Sequence, residues 1–402
     1  MPEMNIDEAL DALTAPVEAG QSSNPPPRSR VADWRPGIAW EGDTGTITTD
    51  VVIGSDSPNW DHVLRIWGLD PENFSIVEPV LFNVWGNPDS PSRQWKGKVV
   101  SRLATPEGAG YADLIEEIKK HRPPKKCAPT GDSAFIVCLA DWQVGRGDPG
   151  DGLKEVVARI LAGIDSVEER VKELRKMGRP LGELVVLGLG DIIEGCGDDF
   201  YAMGTFTAEA DRRDQIKIAR RLIRDAIARW SRQFTTVRVA AIGGNHGENR
   251  RDGKAFTTFN DNDDVAVFEQ VAEIFAQNPE TYGHVSFVLP RHELTLTLEV
   301  TGKIVGITHG HVAKASGSAE QKLRTWLANQ SLGRQSIGDA EVLVTGHYHH
   351  LRTVDWGSVH WLQTPALCDS LWFTQTSGQW AQKGILTFTL TPGSGVQDVQ
   401  VV

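Results

Sequence analysis

The stretch AAIGGNHGENRR (residues 240–251) begins as an apolar strand and then changes into a polar turn. Its double glycine lets the backbone approach other groups closely, and Asn245 and His246 follow directly. A solvated turn would account for each of these residues alone. A side-chain amide and an imidazole at the end of a buried strand also suit a loop that binds a ligand, and the other strand ends decide between the two interpretations.

Four further apolar runs also end in oxygen or nitrogen donors. The donors after the five runs are Asp141 and Gln143, Asp191 and Glu194, Asn245 and His246, His309 and His311, and His347, His349 and His350. Six of the eleven histidines in the chain lie at these positions. Because ligands gather at the carboxyl ends of strands in open α/β sheets, we expect the five ends to converge on one site.

The donor set contains carboxylates, amides and imidazoles but no cysteine. Such donors suit hard or borderline divalent ions, and we expect Mn²⁺, with Fe²⁺, Zn²⁺ or Mg²⁺ as alternatives. The donors are too many for a single ion. We therefore expect two divalent metal ions, with one carboxylate that bridges them at a separation of about 3.5–4 Å.

The order of apolar runs predicts the organisation of the chain. The expected parts are a flexible acidic leader at 1–30, a small α+β accessory module at 31–118, a basic proline-rich linker at 119–132 and a catalytic domain at 133–402. In the last part, buried strands alternate with amphipathic helices and later give way to strands alone. This order predicts an α/β fold with two stacked sheets that are flanked by helices.

The composition, with 40% hydrophobic and 23% charged residues, is that of an ordinary soluble globular protein. No apolar run approaches the roughly 20 residues of a membrane span, and the start of the chain has no signal-peptide pattern. We therefore expect a cytoplasmic protein without a membrane partner. The net charge of −12 argues against a protein that coats nucleic acid by charge alone. A phosphate-bearing substrate would need a local attractor, which metal ions can supply.

The motifs DWQ, GDIIE, GGNHGE, THGH and GHYH, in this order, resemble those of the calcineurin-like metallophosphoesterase superfamily. The resemblance covers residues 131–390 and implies a four-layer α/β/β/α sandwich with a dinuclear metal centre. It assigns Asp141, Gln143 and His349 to the first metal, Asn245, His309 and His347 to the second, and Asp191 to a bridging position. Gln143 stands where the family has histidine. Since a neutral amide oxygen is a weaker donor, the first metal should bind less tightly or prefer manganese over zinc.

The same resemblance makes His246 the catalytic histidine that binds no metal, with Glu194 as its orienting carboxylate. The reaction it implies is hydrolysis of a phosphoester by a hydroxide that the two metals activate. His246 would donate a proton to the leaving oxygen or stabilise its charge.

The substrate is predicted from weaker features. DWQVG and GDIIE resemble the motifs of SbcD-type DNA repair nucleases, and the chain also resembles phosphoesterases encoded by actinobacterial phages. A DNA exonuclease or endonuclease is the leading prediction, which leaves open an ATPase partner of the SbcC type, a homodimer and the cytoplasm of a phage host. Candidate substrate contacts are Arg250, Arg251 and His311. The alternatives are a small-molecule phosphodiesterase or phosphatase, for example on cyclic nucleotides, and a catalytically silent binding subunit.

The arginine-rich segment DRRDQIKIARRLIRDAIARW (211–230) allows two interpretations. Its arginines either form salt bridges with the neighbouring Asp211, Asp214 and Asp225 on a solvated helix face, or they face the phosphates of a nucleic acid. The sequence alone leaves both open.

Overall fold

The computed structural model describes residues 34–41, 44–53, 58–71, 74–87, 90–101, 111–124, 129–148, 151–195, 208–251, 254–255, 257–259, 261–371, 374–375, 378 and 380–402. The leader predicted at 1–30 lies outside these residues. The chain divides into two compact units, Met1–Pro106 and Glu107–Val402. Among the described helices, none combines the length and the apolar composition that a membrane span requires.

The smaller unit is built on an antiparallel sheet. Its described elements are β1 (Gly37–Glu41), β2 (Thr44–Thr48), β3 (Val52–Ile53), α1 (Trp60–Ile66), β4 (Phe74–Asn87) and β5 (Ser90–Ser101). β5 lies at the centre of the sheet, because it pairs with β2, β3 and β4. Leu64 of α1 packs with Ile47 and Val99 of the sheet in a small buried core.

A proline lies within β4 without ending the strand. The pairing of β4 with β5 shifts register between Val77 and Leu81, the stretch that contains Pro79. Proline has no N–H to donate to the ladder, so a local irregularity lets the strand continue past the missing donor.

The larger unit alternates helices and strands before it ends in strands alone. Its described helices are α2 (Tyr111–Lys120), α3 (Leu153–Lys176), α4 (Arg212–Trp230), α5 (Asp263–Ala276), α6 (Pro279–Tyr282) and α7 (Ala319–Leu332), with 3₁₀ turns at Ser231–Gln233 and Ser336–Asp339. Its described strands are β6 (Ser133–Leu139), β7 (Leu181–Gly188), β8 (Thr236–Ala241), β9 (Arg250–Arg251), β10 (Lys254–Ala255), β11 (Val285–Val288), β12 (Thr295–Val300), β13 (Lys303–Thr308), β14 (Val342–Thr345), β15 (Arg352–Asp355), β16 (His360–Gln363), β17 (Leu386–Leu390) and β18 (Val396–Val401). The mixed α/β class predicted from the sequence is confirmed.

The first large sheet has the strand order β11-β8-β7-β6-β17-β18. β11, β8, β7 and β6 are parallel, and β17 and β18 continue the sheet in antiparallel pairs. Every residue of β6 is buried, as expected for a parallel strand that is covered on both faces. Because β6, β7 and β8 are parallel neighbours, their carboxyl ends lie side by side at one edge of the sheet.

The second large sheet has the strand order β12-β13-β14-β16-β15. β13 and β14 are parallel neighbours whose pairing ends with Thr308 opposite Thr345. The loops after these two strands therefore start at the same edge of the second sheet. β15 and β16 pair antiparallel across a turn at Gly357, where φ is +92°.

Among the described residues of the larger unit, three apolar cores hold the sheets and helices together. Phe135 of β6 lies in a core with α3, α4 and α5. Its neighbour Ile136 points to the opposite face of the sheet and shares a second core with Ile307 of β13. Leu323 of α7 packs with Leu343 of β14 in a third core. Helices α3, α4 and α5 thus pack against the first sheet, α7 packs against the second, and strands of both sheets share one core.

α2 belongs to the larger unit, although the sequence placed it in the module at 31–118. Leu114 and Ile118 are fully buried in the core with α4 and α5, and the side chain of Asn278 donates a 2.7 Å hydrogen bond to the backbone O of Ile118. The boundary between the units falls at Pro106, before this helix. The segment at 119–132 that was predicted as a linker therefore lies within the larger unit.

Candidate metal centre

The residues predicted as metal ligands lie in five loops at the carboxyl ends of strands. Asp141 and Gln143 follow β6, Asp191 follows β7, Asn245 follows β8, His309 follows β13, and His347 and His349 follow β14. The side chains of Asp141, Asp191 and His309 are at most 1% exposed. These donors are therefore held in the interior of the fold, which a solvated turn would not require.

The backbone at the predicted ligands adopts a conformation that non-glycine residues rarely accept. Eight non-glycine residues in the described part of the chain have a positive φ. Five of them are predicted ligands, namely Asp141 (φ 51°), Gln143 (44°), Asp191 (52°), His347 (73°) and His349 (58°). Such a residue costs roughly 1–3 kcal/mol and persists only where the surrounding structure holds it. Strain of this kind concentrates at functional sites.

Asp191, His309 and His347 form a compact group of donors. Their ligand atoms all lie within 4.8 Å of one another. His309 Nε2 lies 2.9 Å from Asp191 Oδ2 and 3.1 Å from Asn245 Oδ1. His309 Nδ1 lies 2.7 Å from the backbone O of Leu189, so the imidazole is held with Nε2 toward the other donors. This arrangement fits a site for a divalent cation.

Asp141 and His349 form a second pair of donors. His349 Nε2 lies 3.3 Å from Asp141 Oδ1. The backbone N–H of His347 donates a 3.0 Å hydrogen bond to Asp141 Oδ2. Asp141 thus connects the loop after β6 to the loop after β14, and it joins this pair to the group that contains His347.

Gln143 is the third predicted ligand of the first metal, and both the oxygen and the nitrogen of its side-chain amide have close polar partners. Its Oε1 accepts hydrogen bonds from Arg146 Nη1 (2.7 Å) and from the Cys368 thiol (2.6 Å). Its Nε2 lies 3.0 Å from His246 Nε2. The oxygen that was predicted to bind metal therefore faces Arg146 and Cys368. A half-turn of the amide group would exchange its oxygen and its nitrogen.

His246 is held by Glu194 through the backbone more closely than through the side chain. Its Nδ1 lies 2.9 Å from the backbone O of Glu194 and 3.5 Å from Glu194 Oε2. The sequence predicted that the carboxylate orients the ring, whereas the backbone carbonyl is the nearer partner. Burial alone would lower the pKa of His246, but the negative charges of Asp191 and Glu194 raise it above its usual value. The protonated form, which can donate a proton, is thereby favoured.

The electrostatics of the donor group favour a cation. Burial alone would lower the pKa of His309, but the adjacent carboxylate of Asp191 raises it to about 9. Burial and the positive charge of His309 hold the pKa of His347 well below its usual range, so its imidazole stays neutral. A metal ion would replace the proton that Asp191 attracts to His309, since metal ligation requires the deprotonated imidazole.

Steric constraints explain why Gly243 and Gly244, the double glycine before Asn245, carry no side chain. A Cβ at Gly244 would lie 2.1 Å from Asp191 Oδ1, and a Cβ at Gly243 would lie 2.5 Å from the side chain of Asn262. The backbone N–H of His246 donates a 2.8 Å hydrogen bond to Asp191 Oδ1. The loop after β8 can approach Asp191 this closely only because these two positions carry no side chain.

Asp264, in the first turn of α5, was missed by the sequence analysis. Its carboxylate is fully buried and accepts backbone hydrogen bonds from Asp191 (2.8 Å) and Gly244 (3.0 Å). Asn262, which caps the same helix, donates from Nδ2 to the backbone O of Gly244 (2.8 Å). The start of α5 therefore holds the two loops that carry Asp191 and Asn245. The sequence NDD signals a helix start, but it does not reveal which loops that helix start contacts.

A cavity of about 350 Å³ lies at this site. Six of the predicted site residues line it, namely Gln143, Asp191, Asn245, His246, His347 and His349. Three cationic side chains, Arg146, Arg352 and Lys383, also line it. The cavity thus brings together predicted metal ligands, the predicted proton donor and three cationic side chains.

The residues predicted to contact substrate are not among the described residues that line this cavity. His311 Nε2 lies 3.1 Å from Glu248 Oε1, and Arg250 Nε donates a 2.7 Å hydrogen bond to Glu248 Oε2. The side chain of Arg251 lies outside the described residues. Glu248 is therefore a common partner of two residues that were predicted to hold substrate.

Several arginines of α4 contact acidic side chains. Arg224 donates to Glu117 Oε2 (2.6 Å) and contacts Asp225 (2.9 Å). Arg229 donates to Glu168 Oε2 (2.8 Å). These contacts support the salt-bridge interpretation of the segment, although α2 and α3 supply two of the acidic partners.

No protein-family model matches the sequence, and no curated protein is similar to it. Some solved structures are similar to the chain at low identity. Vacuolar protein sorting 29 from Cryptosporidium parvum is 12% identical, with 65% of this chain and 86% of that chain covered and a TM-score of 0.27. Vps29 complexed with zinc from Entamoeba histolytica is 14% identical, with 67% of this chain and 98% of that chain covered and a TM-score of 0.26. An archaeal phosphodiesterase is 13% identical, with 67% of this chain and 99% of that chain covered and a TM-score of 0.29. Values this low do not establish a family for the chain.

Proposed function

We propose that the protein is a metal-dependent phosphoester hydrolase of the calcineurin-like type. The observation that carries this proposal is the group of Asp191, His309 and His347, whose ligand atoms lie within 4.8 Å of one another. The arrangement of the three apolar cores supports the four-layer α/β/β/α sandwich that the motif order implies. Positive φ at five predicted ligands is a further, independent sign of a functional site.

The proposal includes two divalent metal ions at this site. Asn245, His309 and His347 would hold one ion, Asp141, Gln143 and His349 would hold the other, and Asp191 would be shared. Carboxylate, amide and imidazole donors suit manganese, and also iron, zinc or magnesium. When bound, such ions polarise a phosphoryl oxygen and lower the pKa of water enough for attack on phosphorus near neutral pH.

Residues of the chain supply the remaining parts of the reaction. In-line attack on phosphorus breaks the bond to the leaving oxygen, which must then take up a proton. His246 lines the cavity, and Asp191 and Glu194 raise its pKa against the effect of burial, so it is suited to donate that proton. Arg146, held at 2.7 Å from Gln143 Oε1, places a fixed positive charge in the same cavity.

A nucleotide-sized phosphodiester is the proposed substrate. The cavity volume of about 350 Å³ falls within the range of roughly 300–1,000 Å³ that is usual for small-molecule sites. Arg250, a predicted DNA contact, is bound to Glu248 instead of lining the cavity. A DNA nuclease would use the same chemistry at a strand end, and it stays a prediction from the sequence, as do the SbcC-type ATPase partner and the homodimer.

An activity panel tests the proposal. The purified protein would be incubated with Mn²⁺, Fe²⁺, Zn²⁺ or Mg²⁺ and with bis-p-nitrophenyl phosphate, cyclic nucleotides, single-stranded DNA or linear duplex DNA. We expect metal-dependent hydrolysis of the diester and of at least one nucleotide substrate, which EDTA removes. Release of nucleotides from plain DNA would identify the nuclease, whereas cleavage of small diesters alone would identify the phosphodiesterase. Absence of hydrolysis with every metal would overturn the proposed function.

A further inference from the structure

The three cationic side chains that line the cavity differ in their hydrogen-bond and ion-pair partners. Arg146 donates to Gln143 and lies 3.8 Å from Asp148. Lys383 Nζ lies 2.6 Å from Asp369 Oδ2. Arg352 Nη1 is buried and has no hydrogen-bond partner within the part of the chain that the structure describes. A guanidinium nitrogen that is buried without an acceptor is unfavourable, and the charge of Arg352 is not paired with a carboxylate through this nitrogen.

The position of Arg352 relates it directly to the metal centre. It is the first residue of β15, three positions after His349 in the loop that also carries His347. Arg352, His347 and His349 line the same cavity. A ligand that occupies the metal centre can therefore extend toward Arg352 without leaving the cavity.

An exposed tryptophan lies next to this cationic part of the cavity. The side chain of Trp380 is 67% exposed, and Lys383 Nζ lies 5.3 Å from the centre of its ring. Ala381, the residue after Trp380, lines the cavity together with Lys383. An exposed indole beside a cation is a surface on which the flat face of a nucleobase can stack.

We infer that Arg352, Lys383 and Trp380 form a subsite for the non-reacting part of a nucleotide phosphodiester. Arg352 binds a second phosphate, and Trp380, whose ring lies beside Lys383 Nζ, stacks on the base. The inference rests on the proposed hydrolase function, and it adds the substrate class: a nucleotide with one reacting phosphodiester and one further phosphate. The planar, multiply donating guanidinium suits such a phosphate better than a single ammonium would.

Two matched substrates test the phosphate contact. They are thymidine 5′-(p-nitrophenyl phosphate) with and without a 3′-phosphate, which differ only in the second anionic group. For the unmodified protein we expect KM to be lower for the 3′-phosphorylated substrate by about tenfold, the equivalent of roughly 1.4 kcal/mol. Arg352→Met should remove this difference, and Arg352→Lys should leave part of it. Arg324→Met, which changes an exposed arginine of α7 that does not line the cavity, should keep the full difference.

A binding measurement without catalysis separates the subsite from the hydrolase reaction. Calorimetry in EDTA would compare thymidine 3′,5′-bisphosphate, thymidine and inorganic phosphate on the same variants. We expect Arg352→Met to weaken binding of the bisphosphate by about tenfold, and Trp380→Ala to weaken the bisphosphate but not inorganic phosphate. Equal affinities for Arg352→Met and Arg324→Met would overturn the inference. If binding depends on Arg352 but bis-p-nitrophenyl phosphate is never hydrolysed, the subsite stands and the proposed function fails.

A competition experiment in the kinetic assay distinguishes two sources of the second phosphate, a mononucleotide and the end of a nucleic-acid strand. A single-stranded oligodeoxynucleotide would be added as a competitor of the 3′-phosphorylated substrate. Competition no stronger than that of thymidine 3′,5′-bisphosphate would assign the subsite to a mononucleotide. Competition that is about tenfold stronger would assign it to the end of a strand, which makes further backbone contacts. Competition by neither ligand would overturn the inference.

Discussion

The carboxylate of Asp264 accepts a 2.8 Å hydrogen bond from the backbone N–H of Asp191, 73 residues earlier in the chain. The same carboxylate accepts bonds from Ile192 (3.0 Å) and Gly244 (3.0 Å). A residue that is not a predicted ligand therefore fixes the loops that carry Asn245 and Asp191, the residue predicted to bridge the metals. The positions of the donors depend on this contact as much as on the donors themselves.

We predict that Asp264→Asn lowers both stability and metal affinity. An amide has one acceptor oxygen, so at least one of the backbone donors loses its partner, at a cost of about 1–3 kcal/mol. Urea unfolding and metal content measure the two effects. Asp263→Asn is the matched control, because it removes a charge at the same helix start and weakens the part-exposed ion pair with Arg212, which should cost less than about 1 kcal/mol. Equal losses in the two variants would contradict the role of Asp264.

Asp191→Asn should abolish turnover while the fold stays intact. Burial alone would raise the pKa of Asp191, but His309 and His246 hold it well below its usual range, so the residue supplies a negative charge that an amide lacks. We expect kcat to fall by at least about 100-fold, since even the outer partners of metal ligands affect metal affinity or activity by 10–100-fold. Metal bound per chain should fall as well. Asp339→Asn, at an exposed position, should change neither, and loss of folded structure in Asp191→Asn would mean that the residue is structural.

His246→Ala should keep the metals and lose most of the rate. A positioned general acid contributes roughly 10²–10⁴-fold, so a loss within that range is expected in kcat. A histidine that acts as an acid loses function as pH rises through its pKa. Because Asp191 and Glu194 raise the pKa of His246 above its usual value against burial, the falling limb of the pH–rate profile should lie above about 6.5. The variant should lack this limb, and loss of bound metal would contradict the assignment.

Gln143→His should strengthen binding of the first metal. An imidazole nitrogen is a better donor for zinc than a neutral amide oxygen, and the replacement also removes the acceptor that Arg146 and Cys368 share. The measurement is the metal retained per chain after dialysis against a weak chelator. Gln335→His, at an exposed position, controls for an added surface histidine. Unchanged retention would show that position 143 does not contact metal.

Much of the candidate site could be predicted because its residues follow strands that are easily recognised. SAFIVCL and ELVVLGLG are continuous apolar runs, and parallel strands of this kind end at a common edge. The placement of Asp141 and Asp191 therefore followed from local sequence alone. The residues Asn262, Asp263 and Asp264 are typical of a helix start, and α5 begins at Asp263 with Asn262 as its cap.

Other features depend on contacts that no local pattern encodes. α7 buries only Leu323 and Leu327 among its described residues, so its amphipathic signal is weak. Arg250 was expected to contact substrate, but its side chain donates a hydrogen bond to Glu248. The basic character of a residue does not by itself show that it has an acidic partner. The contact between Asp264 and Asp191 spans 73 positions, and it becomes visible only once the fold places α5 against the loop after β7.

The donors of the candidate metal centre follow strands of both large sheets. Asp141, Asp191 and Asn245 follow strands of the first sheet, and His309 and His347 follow strands of the second. Elsewhere the faces of these two sheets meet through apolar side chains, which attract one another without fixed direction. Ions bound by these loops would act as directional cross-links at one rim of the two sheets. Stripping them should let that rim open first, so hydrogen exchange in the loops after β13 and β14 should rise before the centre of either sheet becomes exposed to solvent.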